Sequence, residues 1–199
     1  MNANILIAIV LMVIIIAILI SRRSPSPVQD QNIAPPLGSD TADVLLLTCL
    51  DYRFFERIAA FMNKKGYTNN YDQFILAGAS LGLAHEVNPM IAQWNQTWWD
   101  HLKLAVQLHK VKKVIIIDHE DCGAYRELLG FDNKIEDLKD PNIIPIKEVH
   151  IHSHYLKQAY SKIKKAYPSL IVELYLIGLT DNIIPIVAPT PTVENLNYW

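Results

Sequence analysis

The most regular feature of the chain is a set of short apolar runs, each closed by a glycine, an acidic residue or a polar turn. Val44–Thr48 and residues 114–117 show no polar alternation, the pattern of strands buried on both faces of a parallel sheet. A shorter run at 74–77 stops at Gly78, and runs at 170–177 and 183–187 flank the turn-rich 178–182, which predicts a hairpin. Between these runs the period becomes helical. Residues 54–65 end at Gly66, residues 147–166 end before Pro168, and residues 90–109 place Trp94, Trp98, Leu102, Ala105 and Leu108 on one face. That stripe predicts core or a subunit interface. The alternation of strand and helix predicts an α/β fold with a mostly parallel central sheet, an antiparallel edge strand and helices on both faces.

The N-terminus obeys a different rule. Residues 5–20 are almost wholly apolar and, with their flanks, reach about 17 residues, the lower limit for a transmembrane helix. The Met-Asn-Ala-Asn start carries no basic side chain and no Ala-x-Ala site follows, so an uncleaved anchor is expected rather than a signal peptide. Arg22 and Arg23 directly behind it predict a single-pass membrane protein whose domain lies on the cytoplasmic side. Pro25, Pro27, Pro35 and Pro36 among polar residues predict an extended spacer. The expected organisation is a transmembrane anchor over 1–21, a Pro-rich linker over 22–42 and one folded domain over 43–199.

Composition removes one class of partner and narrows the chemistry. Among 199 residues, 18 basic and 20 acidic side chains give a net charge of -2 with no basic cluster, so nucleic acid is not expected as a partner. There are 2 cysteines, too few for a disulfide framework, although one disulfide between them is a possible reading. Their surroundings point elsewhere. Cys49 closes the first apolar run and is followed by Asp51 and Arg53, while Cys122 lies in Asp118-His119-Glu120-Asp121-Cys122-Gly123, directly after residues 114–117. In an open parallel sheet both segments leave the carboxyl ends of strands and face one crevice. Two thiolates and an imidazole suit zinc, and three protein ligands leave a fourth tetrahedral position for water or substrate. Asp51 and Arg53 can project to the same side of an extended segment as Cys49. The carboxylate is then placed to accept a proton, and the guanidinium to orient it away from the metal.

The remaining histidines call for less. His150 and His154 share a helix face, but without the His-Glu-x-x-His pattern or a third ligand, His150, His152 and His154 are expected on a solvated face. His85, His101 and His109 are conceivable proton shuttles, each expected instead as a surface or satisfied histidine.

Cys-x-Asp-x-Arg at Cys49, Asp51 and Arg53, followed about seventy positions later by His-x-x-Cys-Gly at His119, Cys122 and Gly123, resembles the β-class carbonic anhydrases over residues 44–187. The resemblance implies a zinc ion on Cys49, His119 and Cys122, and an Asp51–Arg53 dyad gating its open position. It implies reversible hydration of carbon dioxide to bicarbonate by a zinc-bound hydroxide, in a homodimer to which Trp94, Trp98 and Trp99 could contribute. Where that family carries a Gly-Asn-Ala-Gly-type loop, this chain has Gly78-Ala79-Ser80-Leu81-Gly82. Gly78, Ala79 and Ser80 are thus candidate substrate-loop residues, and the chain resembles a divergent branch. Another small substrate of the carbonyl sulfide or carbon disulfide type, or a catalytically silent binding role, is the alternative.

Overall fold

In the computed structural model, residues 12, 40–84, 89–130, 143–180 and 182–189 are described. The strands are β1 (Val44–Thr48), β2 (Tyr71–Ile75), β3 (Lys113–His119), β4 (Ile171–Ile177) and β5 (Ile183–Pro185). The helices are α1 (Phe55–Lys64), α2 (Ser80–Ala84), α3 (Pro89–Leu108), α4 (Gly123–Leu129) and α5 (Ile146–Ala166). Burial on both sides explains why β1 and β3 read as unbroken apolar runs. Leu45, Leu47, Val114 and Ile116 meet Trp98, Leu102 and Ala105 of α3 and Leu156, Ala159 and Ile163 of α5. The alternate residues Val44, Leu46, Ile115 and Ile117 meet Ile58 and Met62 of α1, with Phe54 just before it. Helices therefore cover both faces, as the alternation predicts.

The sheet order is β2-β1-β3-β4-β5. β1 pairs in parallel with β2 and β3, β3 pairs in parallel with β4, and only β5 runs antiparallel, against β4. The chain leaves β1 for β2 on one side and returns to β3 on the other, so the loops after β1 and β3 diverge. A crevice opens where they part, the place at which open α/β sheets bind ligands.

Several elements differ from expectation for physical reasons. β2 starts at Tyr71 and ends at Ile75 rather than covering 74–77. As an edge strand it tolerates polar Asp72 and Gln73, and the Asp72 carboxylate pairs with His109 Nδ1 at 2.8 Å. In the predicted α3 stripe Trp98, Leu102 and Ala105 are buried, but Leu108 is 61% exposed. α2 and α4, 5 and 7 residues long, are too short to show a helical period in the sequence.

The predicted transmembrane stretch and most of the Pro-rich linker lie outside the described residues. Among the described residues no helix is long and apolar enough to cross a membrane. Ala42, at the end of the predicted linker, donates its N–H to the His109 carbonyl at 2.9 Å.

Candidate metal centre

Cys49 follows β1, His119 ends β3, and Cys122 is the N-cap of α4. Three separate elements thus deliver the three donors to one point, and their ligand atoms lie within 4.8 Å of one another, all on buried residues. The two thiols are free, with sulfurs 3.9 Å apart, nearly twice the length of a disulfide bond of about 2.05 Å. The spacing suits an ion instead: two Zn–S bonds of about 2.3 Å at a tetrahedral angle hold their sulfurs about 3.8 Å apart.

The imidazole is set for the same role. His119 Nδ1 lies 2.8 Å from the Glu120 carbonyl, so this nitrogen carries the proton and donates it, leaving a lone pair on Nε2. His119 Nε2 is buried and has no hydrogen-bond partner among the described residues, an otherwise costly state for a polar atom. Phe54 packs against the ring with centroids 4.4 Å apart and fixes its plane. Around the sulfurs, the adjacent Cys122 thiol, with the Gly78 amide behind it, holds Cys49 below the ordinary thiol range against the opposing effect of burial. The same Cys49 neighbour and burial push Cys122 upward. Gly78 N donates to Cys49 Sγ at 3.3 Å.

The dyad residues meet as the spacing predicts. Asp51 Oδ1 accepts from Arg53 N at 3.0 Å, which forms the turn Tyr52–Phe54 and folds the arginine back over the carboxylate. Arg53 Nε reaches Oδ1 at 3.0 Å and Nη2 reaches Oδ2 at 2.7 Å, a two-pronged clamp. Arg53 holds the Asp51 carboxyl below its ordinary range. Asp51 Oδ2 stands 4.0 Å from His119 Nε2, beside the cluster. Sequence reasoning missed the other half of this clamp: Asp121 Oδ2 accepts from Arg53 Nη1 at 2.9 Å, and the Asp121 carbonyl from Nη2 at 3.1 Å. Asp121 reaches it by adopting a φ of 55°, in the left-handed region that Asp tolerates better than most residues.

A second polar cluster lies beneath the centre. Asp118, 1% exposed, accepts from Ser80 N at 3.0 Å, Ser80 Oγ at 2.6 Å and Tyr125 OH at 2.8 Å. His152 Nδ1 lies 3.0 Å from Asp118 Oδ2, and its Nε2 lies 3.1 Å from Glu148 Oε2. Burial opposes a charge on His152, but the Asp118 and Glu148 carboxylates outweigh it and raise its pKa to about 9. This corrects the expectation of a solvated His150–His154 face: His152 is fully buried and turned into the core. The available signal was Asp118 itself, a carboxylate directly after the apolar run 114–117 of β3 and therefore in need of buried partners.

Above the cluster is a cavity of about 710 Å³, with Cys49, Asp51, Arg53 and His119 in its wall. Leu50, Tyr52, Trp94 and Leu128 add apolar surface. Of the turn after β2, Ala77 reaches the cavity, whereas Gly78 and Ser80 contact Cys49 and Asp118. His101 and His109 line a separate groove beside β2, and His85 lies outside the described residues.

Fold and site together define a doubly wound α/β protein with a Cys-His-Cys cluster able to hold a metal ion at its topological switch point. Residues 39–181 match the family model described as "Putative carbonic anhydrase", and the chain belongs to that family. An uncharacterized protein of Rickettsia conorii is 32% identical over 151 residues, 76% of this chain and 75% of the relative. An uncharacterized protein of Rickettsia bellii is 32% identical over 143 residues, 72% of this chain and 80% of the relative. Among solved structures, a tetrameric β-carbonic anhydrase from the ascomycete Sordaria macrospora superposes with a TM-score of 0.50 at 18% identity. That likeness covers 94% of this chain and 100% of the other, and it establishes the fold. Zinc is the cofactor used by the β-carbonic anhydrases, and the Cys49, His119 and Cys122 donors fit it.

Proposed function

We propose that the chain is a zinc-dependent carbonic anhydrase that hydrates carbon dioxide reversibly to bicarbonate, with Cys49, His119 and Cys122 as ligands. The carrying observation is the convergence of these donors beside a carboxylate clamped by Arg53, with Asp51 Oδ2 4.0 Å from His119 Nε2. Zinc bound there would acidify a water for attack on the carbon of carbon dioxide.

The protein's own residues supply the rest. Asp51, held ionised by Arg53, accepts a proton at Oδ2 and passes it toward the cavity. Arg53, anchored on Asp121 as well, would keep Asp51 from becoming a further ligand of a metal held by Cys49, His119 and Cys122. The Gly78 amide on Cys49 Sγ tempers the charge of that thiolate. Leu50, Tyr52 and Trp94 give the cavity walls on which an uncharged substrate is favoured over a hydrated ion. Leu50 and Tyr52 are 59% and 81% exposed at its mouth, apolar surface that supports assembly with a second copy of the chain. The apolar residues 5–20 with Arg22 and Arg23 behind them support attachment to a membrane, the domain on the cytoplasmic side. Retention of the full chain in the membrane pellet after an alkaline wash checks that point.

The test is stopped-flow hydration of carbon dioxide by the zinc-loaded full chain, with Asp51→Asn beside it. Turnover that falls at least about a hundredfold in the variant supports the dyad's role in proton transfer. One bound zinc per chain without turnover would reject this substrate and turn attention to carbonyl sulfide and carbon disulfide, which the same chemistry attacks.

A further inference from the structure

Asp118 and its partners take no part in the hydration proposed above, yet they form the most completely buried polar group beside the metal centre. Asp118, His152 and Glu148 are each at most 1% exposed, as are Ser80 and Tyr125. Burying ionised groups costs several kcal/mol each before pairing, and replacing such a cluster by apolar side chains is often neutral or stabilising. Fold stability alone therefore gives no reason for it.

Its connections do. Asp118 precedes His119 on β3, so its backbone carries the imidazole. Tyr125, which donates to Asp118, sits in the first turn of α4, whose N-cap is Cys122. Ser80, held to Asp118 through both its N–H and its hydroxyl, ends the turn whose Gly78 amide donates to Cys49 Sγ. That turn needs holding: Gly78 has φ 71° and Ala79 has φ 41°, and an alanine in the left-handed region costs about 1 kcal/mol. Gly78 cannot be relieved by another residue, since a Cβ there would lie 3.2 Å from Ala124 and from Leu81.

We propose that Asp118, locked from behind by His152 and Glu148, is a positioning residue that holds Cys49, His119 and Cys122 at the spacing a tetrahedral ion requires. The inference rests on the reading of those three residues as metal ligands. Loss of the lock frees the strained turn, withdraws the Gly78 amide from Cys49 and loosens the carboxyl end of β3 at the same time.

Cobalt(II) titration of the full chain tests this, because the visible spectrum of cobalt reports ligand geometry independently of activity. The variants are Asp118→Asn, His152→Gln and Ser80→Ala, with Leu156→Ala as a control buried on α5 in the sheet core. Asp118→Asn and His152→Gln are expected to weaken cobalt and zinc binding about tenfold and to alter the cobalt bands, with Ser80→Ala intermediate. The control lowers the melting temperature but leaves affinity and spectrum as in the wild type. Should Asp118→Asn fail to fold, His152→Gln and Ser80→Ala carry the decision. Wild-type affinity and spectrum in the cluster variants, with only a lowered melting temperature, would overturn the proposal. A wild-type chain that binds no cobalt through thiolates overturns the ligand reading itself, a result distinct from the former.

Discussion

Asp51 and Asp118 both stand next to His119, and both are carboxylates with a cationic partner, but their surroundings are opposed. Asp51 has 17% of its side chain exposed and opens onto the cavity, clamped by an arginine that is itself 36% exposed. Asp118 is sealed, and its charged partner His152 is sealed with it. The contrast separates two uses of one functional group. A carboxylate in contact with solvent can exchange a proton on every turnover and adds little to stability, since exposed ion pairs are worth roughly 0–1 kcal/mol. A carboxylate without that contact can only hold its neighbours in place, and its loss is felt by the fold.

The largest expected effect is therefore on the sealed side. Asp118→Leu leaves His152, Ser80 N and Tyr125 OH without their acceptor and should cost about 3–5 kcal/mol, read from chemical denaturation of the full chain. A cost below about 1 kcal/mol would erase the difference between the two sites.

Next comes pH. His152 has a folded pKa of about 9, above its unfolded value near 6.5, so its contribution is fully present below about pH 6.5 and is lost as pH rises through 9. The loss is on the order of 3 kcal/mol, and His152→Gln should flatten that part of the stability profile. An unchanged profile would mean that His152 is not the group titrating there.

Smaller again is the stability cost of Asp51→Asn, expected within about 1 kcal/mol of the wild type in the same denaturation experiment. Together with its lost turnover this gives the mirror image of Asp118→Leu. Least of all is expected from His150→Ala with His154→Ala: metal analysis should still find one ion per chain, because neither residue touches either cluster.

Much of the framework was legible because burial on both faces writes itself into β1 and β3 as unbroken Val, Ile and Leu. The hairpin of β4 and β5 was equally plain from its turn-rich connection. The edge strand β2 was displaced because its outward residues need not be apolar. At the site, Cys49, Asp51, Arg53, His119 and Cys122 came from local spacing, which fixes what lies near what along a strand end. Asp121 as the second anchor of Arg53 depends on a left-handed residue, and spacing does not reveal backbone conformation. The partnership of Asp118 with His152 and Glu148 depends on how α5 is rotated against β3, a long-range packing outcome that a solvated-face reading of three alternate histidines could not supply.

The 3.9 Å gap between the two sulfurs also has a redox side. Two thiols that close can be joined by a two-electron oxidant such as dioxygen, which takes two electrons from the pair as both protons leave and the S–S bond forms. A metal ion and an oxidant thus compete for the same pair of atoms, and each outcome bars the other. Chain isolated without metal in air is expected to lose its capacity for zinc as its free thiols disappear, and to regain it on reduction. Loading before exposure would protect both sulfurs, so the history of a sample, as much as its sequence, sets how much of it can work.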